Sequence, residues 1–349
     1  MTSRDSGTQL PTGDEDEARS AELTTPNILR LLSAGASGTI LMALGEAPLR
    51  TKELTERVPG YAPRTVYRYA SKLAELGVIE RYEETGVPSK VVHSLTEPSG
   101  RELHDLMQAY ADASLPRLPS GDIGAHAWGS LGLLADLWES RMIEELNLGP
   151  RTATELARGK HGLSFHQVSR RASLCAIGGF IEETSEEARR RRYQLTDQAR
   201  RAMALIAGIG RWRRRYVVPE GAAGLTAGEV SGLMQTALPL VVLPEHAGKS
   251  FELGIATPSG DEETLWANVG VDGRVLASPT PLANVDGSVR AELTIWVDSV
   301  LDGPHESLAV AGDASLISDY LHRLHAALWS PDDGQSLPVA RPAPAAPGR

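Results

Sequence analysis

Arg64, Arg68 and Lys72 stand four residues apart in APRTVYRYASKLAELG, a run that begins at Ala62. On a helix this spacing brings the three cations to one face, with Thr65 beside them and Tyr67 at its border. Val66, Tyr69/Ala70 and Leu73 recur at helical spacing on the opposite side and form the candidate packed face. A guanidinium can make paired hydrogen bonds to a guanine edge, and a lysine ammonium neutralises phosphate. The chemistry these residues suit is therefore recognition of a polyanion. A merely solvated helix face would carry the same residue types, so the elements around it must decide.

Those elements occur twice. VYRYASKLAELGVIE at Val66 returns as VSRRASLCAIGGFIE at Val168, identical at eight of fifteen positions, offset by 102 residues without a gap. The pattern extends outward in both directions. An apolar helix comes first (ASGTILMALGE; LLADLWESRMIEEL), then a short helix that a threonine can cap (TKELTERV from Thr51; TATELARG from Thr152). After a turn comes the repeated helix, which Gly77 or Gly179 can end by supplying a left-handed residue. Two short strands around a turn follow (VIERYEETGVPSKVVHSLT; FIEETSEEARRRRYQLT), and then another helix (RELHDLMQAY; ARRAMALIAGIG). Helix, helix-turn-helix, β-hairpin, helix is the winged helix-turn-helix pattern.

The first copy resembles the winged-helix regulators of the HxlR, MarR and PadR groups. PLRTKELTERVPGYAPRTVYRYASKLAELGVIER followed by GVPSKVVHSLTEPSGREL is similar to an HxlR domain nearly throughout. The second keeps WESRMIEELNLGPRTATELA and RRYQLTDQARRAM, while its helix after Ala172 departs. The resemblance implies binding of double-stranded DNA, and a homodimer formed through helices flanking the wing domain. In the second copy His166, Gln167, Ser169 and Arg170 take the DNA-facing places. Leu174 stands where Lys72 stood and Ile177 where Glu75 stood, so the end of this helix is expected to pack on another domain or subunit. The wings contribute Lys90 in the first copy and Arg190 and Arg191 in the second, within the run Arg189 to Arg192. Those four arginines suit phosphates, or equally a hairpin paired with Glu182, Glu183, Glu186 and Glu187. RWRRRY at Arg211 suits phosphate or the end of a connecting helix.

Net charge is −10 over 349 residues, which opposes nucleic acid until it is resolved along the chain. Residues 1–26 carry −4, 27–118 carry 0, 119–216 carry +5 and 217–349 carry −11; the middle holds 27 of the 35 basic residues. Residues 1–26 read as a disordered acidic N-terminus, 27–118 and 119–216 as two winged-helix domains, and 330–349 as a disordered Pro/Ala-rich tail. A hydrophobic content of 41% and charged content of 23% are those of a soluble globular protein. The longest apolar run, Leu233 to Leu243, is interrupted by Pro239 and too short for a bilayer, and no secretory pattern opens the chain. A cytoplasmic protein without membrane contact is expected. The single Cys175 excludes an internal disulfide and multi-cysteine zinc sites, and falls at a core position.

Residues 217–329 mix helix and strand. A helix with a Thr226–Glu229 capping box precedes the strands SFELGIAT, TLWANVGV, RVLAS and VRAELTIW, a short helix DSVLDG, a strand LAVAGD and a closing helix from Ala314. GVDGRV, AELTIWVDSVLDG and LAVAGDASLISDYL resemble the sterol-carrier-protein-2-like domain. That resemblance implies an apolar tunnel for a small hydrophobic effector, with Met234, Leu238, Trp266 and Trp296 as candidate lining; as residue types they serve a core equally well. The fold class expected is multidomain α+β, two tandem winged helix-turn-helix domains followed by an SCP2-like domain.

Catalytic motifs are missing. There is no GxSxG elbow, P-loop or complete GxGxxG, and His322 with His325 lacks an evident third metal ligand. No Rossmann-like domain follows the winged helices, as plant-type O-methyltransferases would require, and no Gln-x-Gln or Gln-x-Asp triplet of the tandem winged-helix DNA glycosylases occurs. No enzyme, cofactor or metal is expected. The sequence therefore reads as a ligand-responsive transcriptional regulator, a repressor by its resemblance. A sequestering or carrier protein with the winged helices as dimerisation scaffold is the alternative that Leu174 and Ile177 keep open.

Overall fold

A computed structural model describes residues 23–34, 36–85, 90–114, 128–139, 141–159, 162–184, 191–218, 225–257, 262–301 and 308–329. Helix α1 (Thr25–Ser33) is capped by Thr24 and begins two residues ahead of the expected boundary. It is followed by α2 (Ser37–Glu46), β1 (Leu49–Arg50), α3 (Thr51–Arg57) and α4 (Pro63–Glu75). Strands β2 (Ile79–Glu84) and β3 (Lys90–Leu95) form the hairpin, and α5 (Ser99–Ser114) closes this segment. The hairpin pairs from Ile79 opposite Leu95 to Glu84 opposite Lys90, and β1 adds to β3, giving an antiparallel sheet in the order β1-β3-β2.

The same order returns in α6 (Gly129–Glu139), α7 (Met142–Asn147), β4 (Arg151–Thr152), α8 (Ala153–Ala157), α9 (Phe165–Ile177), β5 (Ile181–Thr184), β6 (Arg192–Leu195) and α10 (Asp197–Tyr216). Its sheet runs β4-β6-β5. Helices α4 and α9 both span thirteen residues and both give way to a positive-φ glycine, Gly77 at +79° and Gly179 at +77°. Two local expectations are corrected. LLADLWESRMIEEL is two helices, because Arg141 adopts φ +55° between them. Thr51 does not cap α3; the Glu53 carboxylate accepts from the Arg50 amide, and the Thr51 hydroxyl lies 3.2 Å from His93 Nε2. Thr152 does cap α8.

The two segments share one core. Helix α1 packs against α6 and α5 against α10, so each flanking helix meets its own counterpart. Leu106 and Gly208, which are 102 residues apart, touch: a Cβ on Gly208 would lie 2.5 Å from Leu106 Cδ2. Contact between equivalent residues is what a two-fold axis produces. Trp212 of α10 is fully buried and donates Nε1–H to the Ser99 carbonyl at 2.8 Å, while Arg215 and Tyr216 both reach Glu102 at 2.9 Å. Trp128 lies so flat on Gly38 that a Cβ there would stand 2.7 Å from its indole. Bringing these faces out of water removes the large apolar side chains of four helices together, which is the main drive for joining the segments. The flanking helices that were expected to hold a homodimer are thus covered within the chain.

The remaining segment begins with α11 (Ala227–Ala237), capped by Thr226 and Glu229. Two single-turn helices, Leu238–Leu240 and Pro244–His246, lead to β7 (Ser250–Ala256), β8 (Glu262–Val269) and β9 (Val275–Ser278). Then come β10 (Gly287–Glu292), α12 (Leu293–Leu301), β11 (Ala309–Gly312) and α13 (Ala314–Trp329). The sheet order is β11-β10-β7-β8-β9, antiparallel except for β10 beside β7. The expected strand VRAELTIW stops at Glu292, and Leu293 onward is helix; Trp296 and Val297 are both buried, a neighbouring pair that a one-sided strand would split between faces. Helix α11 packs on both α7 and α10, and Asn147 donates to Thr236 Oγ1 at 2.7 Å. In the first segment α2 meets α5 directly. No single helix among the described residues is long and apolar enough to cross a membrane.

Candidate nucleic-acid interface

Helix α4 sorts its residues as the spacing predicts. Val66, Ala70 and Leu73 are buried, and Arg64, Tyr67, Arg68 and Lys72 are exposed, with Thr65 half-buried. The cations are held apart by an aromatic ring: Arg68 lies 5.0 Å and Lys72 5.6 Å from the centroid of Tyr69. Such cation–π contacts restrain long side chains without cancelling their charge. Lys90 is exposed at the start of β3, next to residues 86–89, which lie outside the described residues.

One residue of this face was not anticipated. Arg81 on β2 stacks on the Tyr67 ring at 5.0 Å and donates to Tyr67 Oη at 3.3 Å, tying wing to helix. It was legible as the sole cation of IERYEE, but only the folded hairpin brings it beside Tyr67. Behind it, in register with Arg81, His93 is buried. Burial and then the neighbouring Arg81 hold its imidazole below the ordinary histidine range.

The corresponding face of α9 is built differently. Val168, Ala172 and Cys175 are buried, as their spacing required. Burial pushes the Cys175 thiol up to about 12, and its Sγ faces the Leu133 carbonyl at 3.8 Å. His166, Gln167 and Arg170 are exposed and Ser169 half-buried. Gln167 is partly occupied: its Oε1 accepts from the Ser164 backbone amide at 2.9 Å, while the Gln167 backbone amide donates to Ser164 Oγ. Leu174 and Ile177, expected to be covered, are 38% and 83% exposed, so no element described in this chain packs on them.

Arg190 lies outside the described residues. Arg191 donates to Glu183 at 3.3 Å, and Arg192 to the Pro150 carbonyl at 2.9 Å with Glu155 at 3.7 Å. Of the carboxylates expected to pair with the run, Glu183 holds Arg191, whereas Arg192 turns to Pro150 and Glu155, which were not among them. RWRRRY falls inside α10: Trp212 is core, Arg214 pairs with Asp298 and Arg215 with Glu102. It ends a helix and joins segments.

Of the proposed effector residues, Met234, Leu238 and Trp296 are fully buried, and Trp296 Nε1–H donates to the Gly254 carbonyl at 2.7 Å. Trp266 is half-buried and donates to Glu252 at 3.1 Å. His322 and His325 gather no ligand set among the described residues; the one grouping with ligand geometry there is Glu245, His246 and Asp319. Lys249 stands 3.3 Å from His246 Nδ1 and Arg323 pairs with Glu245, so cationic side chains already serve that group.

Residues 32–115 match the HxlR-like helix-turn-helix family. The match takes in the end of α1 and all of α2 to α5, including the whole cationic face, and supports a DNA-binding transcriptional regulator. Among solved structures, the chain named as transcriptional regulator ytfH from Salmonella typhimurium is 27% identical, over 25% of this chain and 76% of that one, with a TM-score of 0.23. Diamide-treated YodB from B. subtilis is 26% identical over 30% of this chain and 96% of its own, with a TM-score of 0.22. The reduced form of the transcriptional regulator YodB is 27% identical over 32% and 100%, with a TM-score of 0.23. A comparison with curated proteins gives no match.

Proposed function

We propose that this chain is a transcriptional regulator whose two winged-helix segments bind duplex DNA and whose C-terminal domain binds a small apolar effector. The carrying observation is the exposed face of α4, where Arg64, Arg68 and Lys72 are presented together with the stacked Arg81, inside the span that matches a helix-turn-helix family. Four cations on one helix–wing surface are a sound basis for binding phosphates and base edges. The candidate contacts are Arg64, Thr65, Tyr67, Arg68, Lys72 and Lys90, with His166, Gln167, Ser169, Arg170, Arg190 and Arg191 in the second segment. Because the flanking helices are already paired internally, one chain supplies both readers. A homodimer, if formed, has to use another surface.

The effector reading rests on the resemblance to SCP2-like domains, with Met234, Leu238, Trp266 and Trp296 as its candidate lining. Helix α10 contacts α11, α12 and α13 as well as α5, so an effector that prefers one arrangement of the C-terminal domain can shift the DNA-competent population. Release of a repressor by its ligand is the direction the resemblance implies.

A gel shift with DNA from upstream of the chain's own coding sequence, across a salt series, tests the DNA reading. Affinity should fall steeply with salt, and Arg68→Ala should weaken it and reduce the salt slope by about 1. No binding at low salt would leave the sequestering alternative in place. A thermal-shift screen of hydrophobic metabolites tests the second half, since a ligand that binds only the folded state raises its Tm.

A further inference from the structure

The 102-residue spacing pairs each side chain of one DNA-facing surface with a side chain of the other, and apart from the shared arginine of Arg68 and Arg170 the pairs are chemically unlike. Arg64 answers to His166, Tyr67 to Ser169, Arg68 to Arg170 and Lys72 to Leu174. The sharpest difference is at the helix–wing junction, where Arg81 in the first segment answers to Glu183 in the second. Arg81 leans on Tyr67 and offers its charge beside α4. Glu183 carries the opposite charge, finds Ser169 where Tyr67 stood on the helix, and holds Arg191, just ahead of the facing strand, at 3.3 Å. An arginine at this place draws a phosphate, whereas a carboxylate there repels it and withdraws a neighbouring cation.

We infer that a single chain binds one asymmetric DNA site in one fixed orientation, the first segment holding the tighter half and Arg81 and Glu183 setting the polarity. The inference rests on the DNA-binding reading above. Its geometric basis is independent: contact of Leu106 with Gly208, and of α1 with α6 and α5 with α10, joins the two surfaces as the halves of a dimer, within one polypeptide. A homodimer of identical halves must read its two half-sites alike and favours palindromic DNA. Fusing the halves removes that constraint, because each can then change without changing the other. The substitutions between the copies fall where this freedom would act. Core positions are kept or exchanged for other apolar residues, Val66 with Val168, Ala70 with Ala172 and Leu73 with Cys175, while the outward face lost Lys72 and the Arg81 position of the wing became Glu183.

The test is selection of the full chain on a library of random 30-base-pair duplexes, followed by hydroxyl-radical footprinting and native mass spectrometry on the selected site. The expected result is one chain per site and a non-palindromic consensus of two unlike halves about one helical turn apart. Protection should be stronger over one half. Arg81→Ala should lower affinity, weaken protection of that half alone and make the salt slope shallower by about 0.9, one phosphate contact. Glu183→Ala should do the opposite, raising affinity and steepening the slope, a gain that misfolding cannot mimic. A palindromic consensus, two chains per site, equal protection of both halves, or both variants moving affinity in the same direction would overturn directional reading while leaving DNA binding intact. Failure to select any DNA at low salt would remove the DNA-binding reading and this inference together.

Discussion

Replacing Trp212 with alanine should destabilise both N-terminal segments at once, although the residue belongs to the second. Trp212 is fully buried, donates to the Ser99 carbonyl at 2.8 Å, and lies 5.9 Å from the Tyr216 ring, which in turn bonds Glu102. Removing a buried tryptophan costs about 3–5 kcal/mol, including the void left behind. Roughly 1 kcal/mol of that belongs to the hydrogen bond, so Trp212→Phe, which keeps a ring, should cost only about 1–2 kcal/mol. With a urea m-value of about 3 kcal/mol/M for a unit of this size, the alanine variant should lose about 1–1.7 M from its midpoint. Urea unfolding followed by far-UV circular dichroism measures that shift. Hydrogen exchange by mass spectrometry shows where it acts: protection should fall in residues 99–114 as much as in 197–216, since one core unfolds as one cooperative unit. If α5 keeps its protection while α10 loses it, or if two transitions appear and only one moves, the segments are separate domains. A shared core, and with it a single-chain reader, would then be ruled out.

Two further outcomes follow from groups buried behind the interface. His93 has its folded pKa depressed below its ordinary value of 6.5 by burial and by Arg81, so the neutral ring is the folded form. Below about pH 6.5 the unfolded chain takes up a proton that the folded one resists, and stability falls as pH drops toward the folded value. The urea midpoint of His93→Gln should consequently depend less on pH between 7.5 and 5 than that of the wild type; equal slopes would mean that His93 is not held neutral. Cys175 is buried with its thiol pushed up to about 12, so Ellman's reagent at pH 8 should leave it unmodified until the protein is unfolded in urea. Rapid labelling of the native protein would place this helix face in solvent and contradict the packing of α9.

The local architecture of the N-terminal two-thirds was legible because its signals are short-range. Apolar spacing gave the packed faces of α4 and α9, Gly77 and Gly179 gave their ends, and alternating segments gave the hairpins. The errors lie where a local pattern was ambiguous. LLADLWESRMIEEL has continuous helical periodicity, and nothing in it announces the left-handed Arg141. AELTIW favours strand by its β-branched and aromatic residues, but burying Trp296 and Val297 together on one side of the sheet requires a helix.

By itself the sequence determined that one order of elements occurs twice, that the outward face of the first repeated helix is cationic, and that the second copy has drifted from the first. These are properties of spacing and side-chain type, carried by residues within a few turns of one another. Tertiary structure alone decided how the copies meet. Leu106 finds Gly208, Trp128 covers Gly38, and Arg81 reaches Tyr67 while Glu183 turns to Arg191. Each of these contacts depends on surfaces distant in sequence being driven together out of water, and no local pattern encodes which apolar face will be the partner. That is why the resemblance implied a homodimer through the flanking helices, whereas the folded chain closes those helices on themselves.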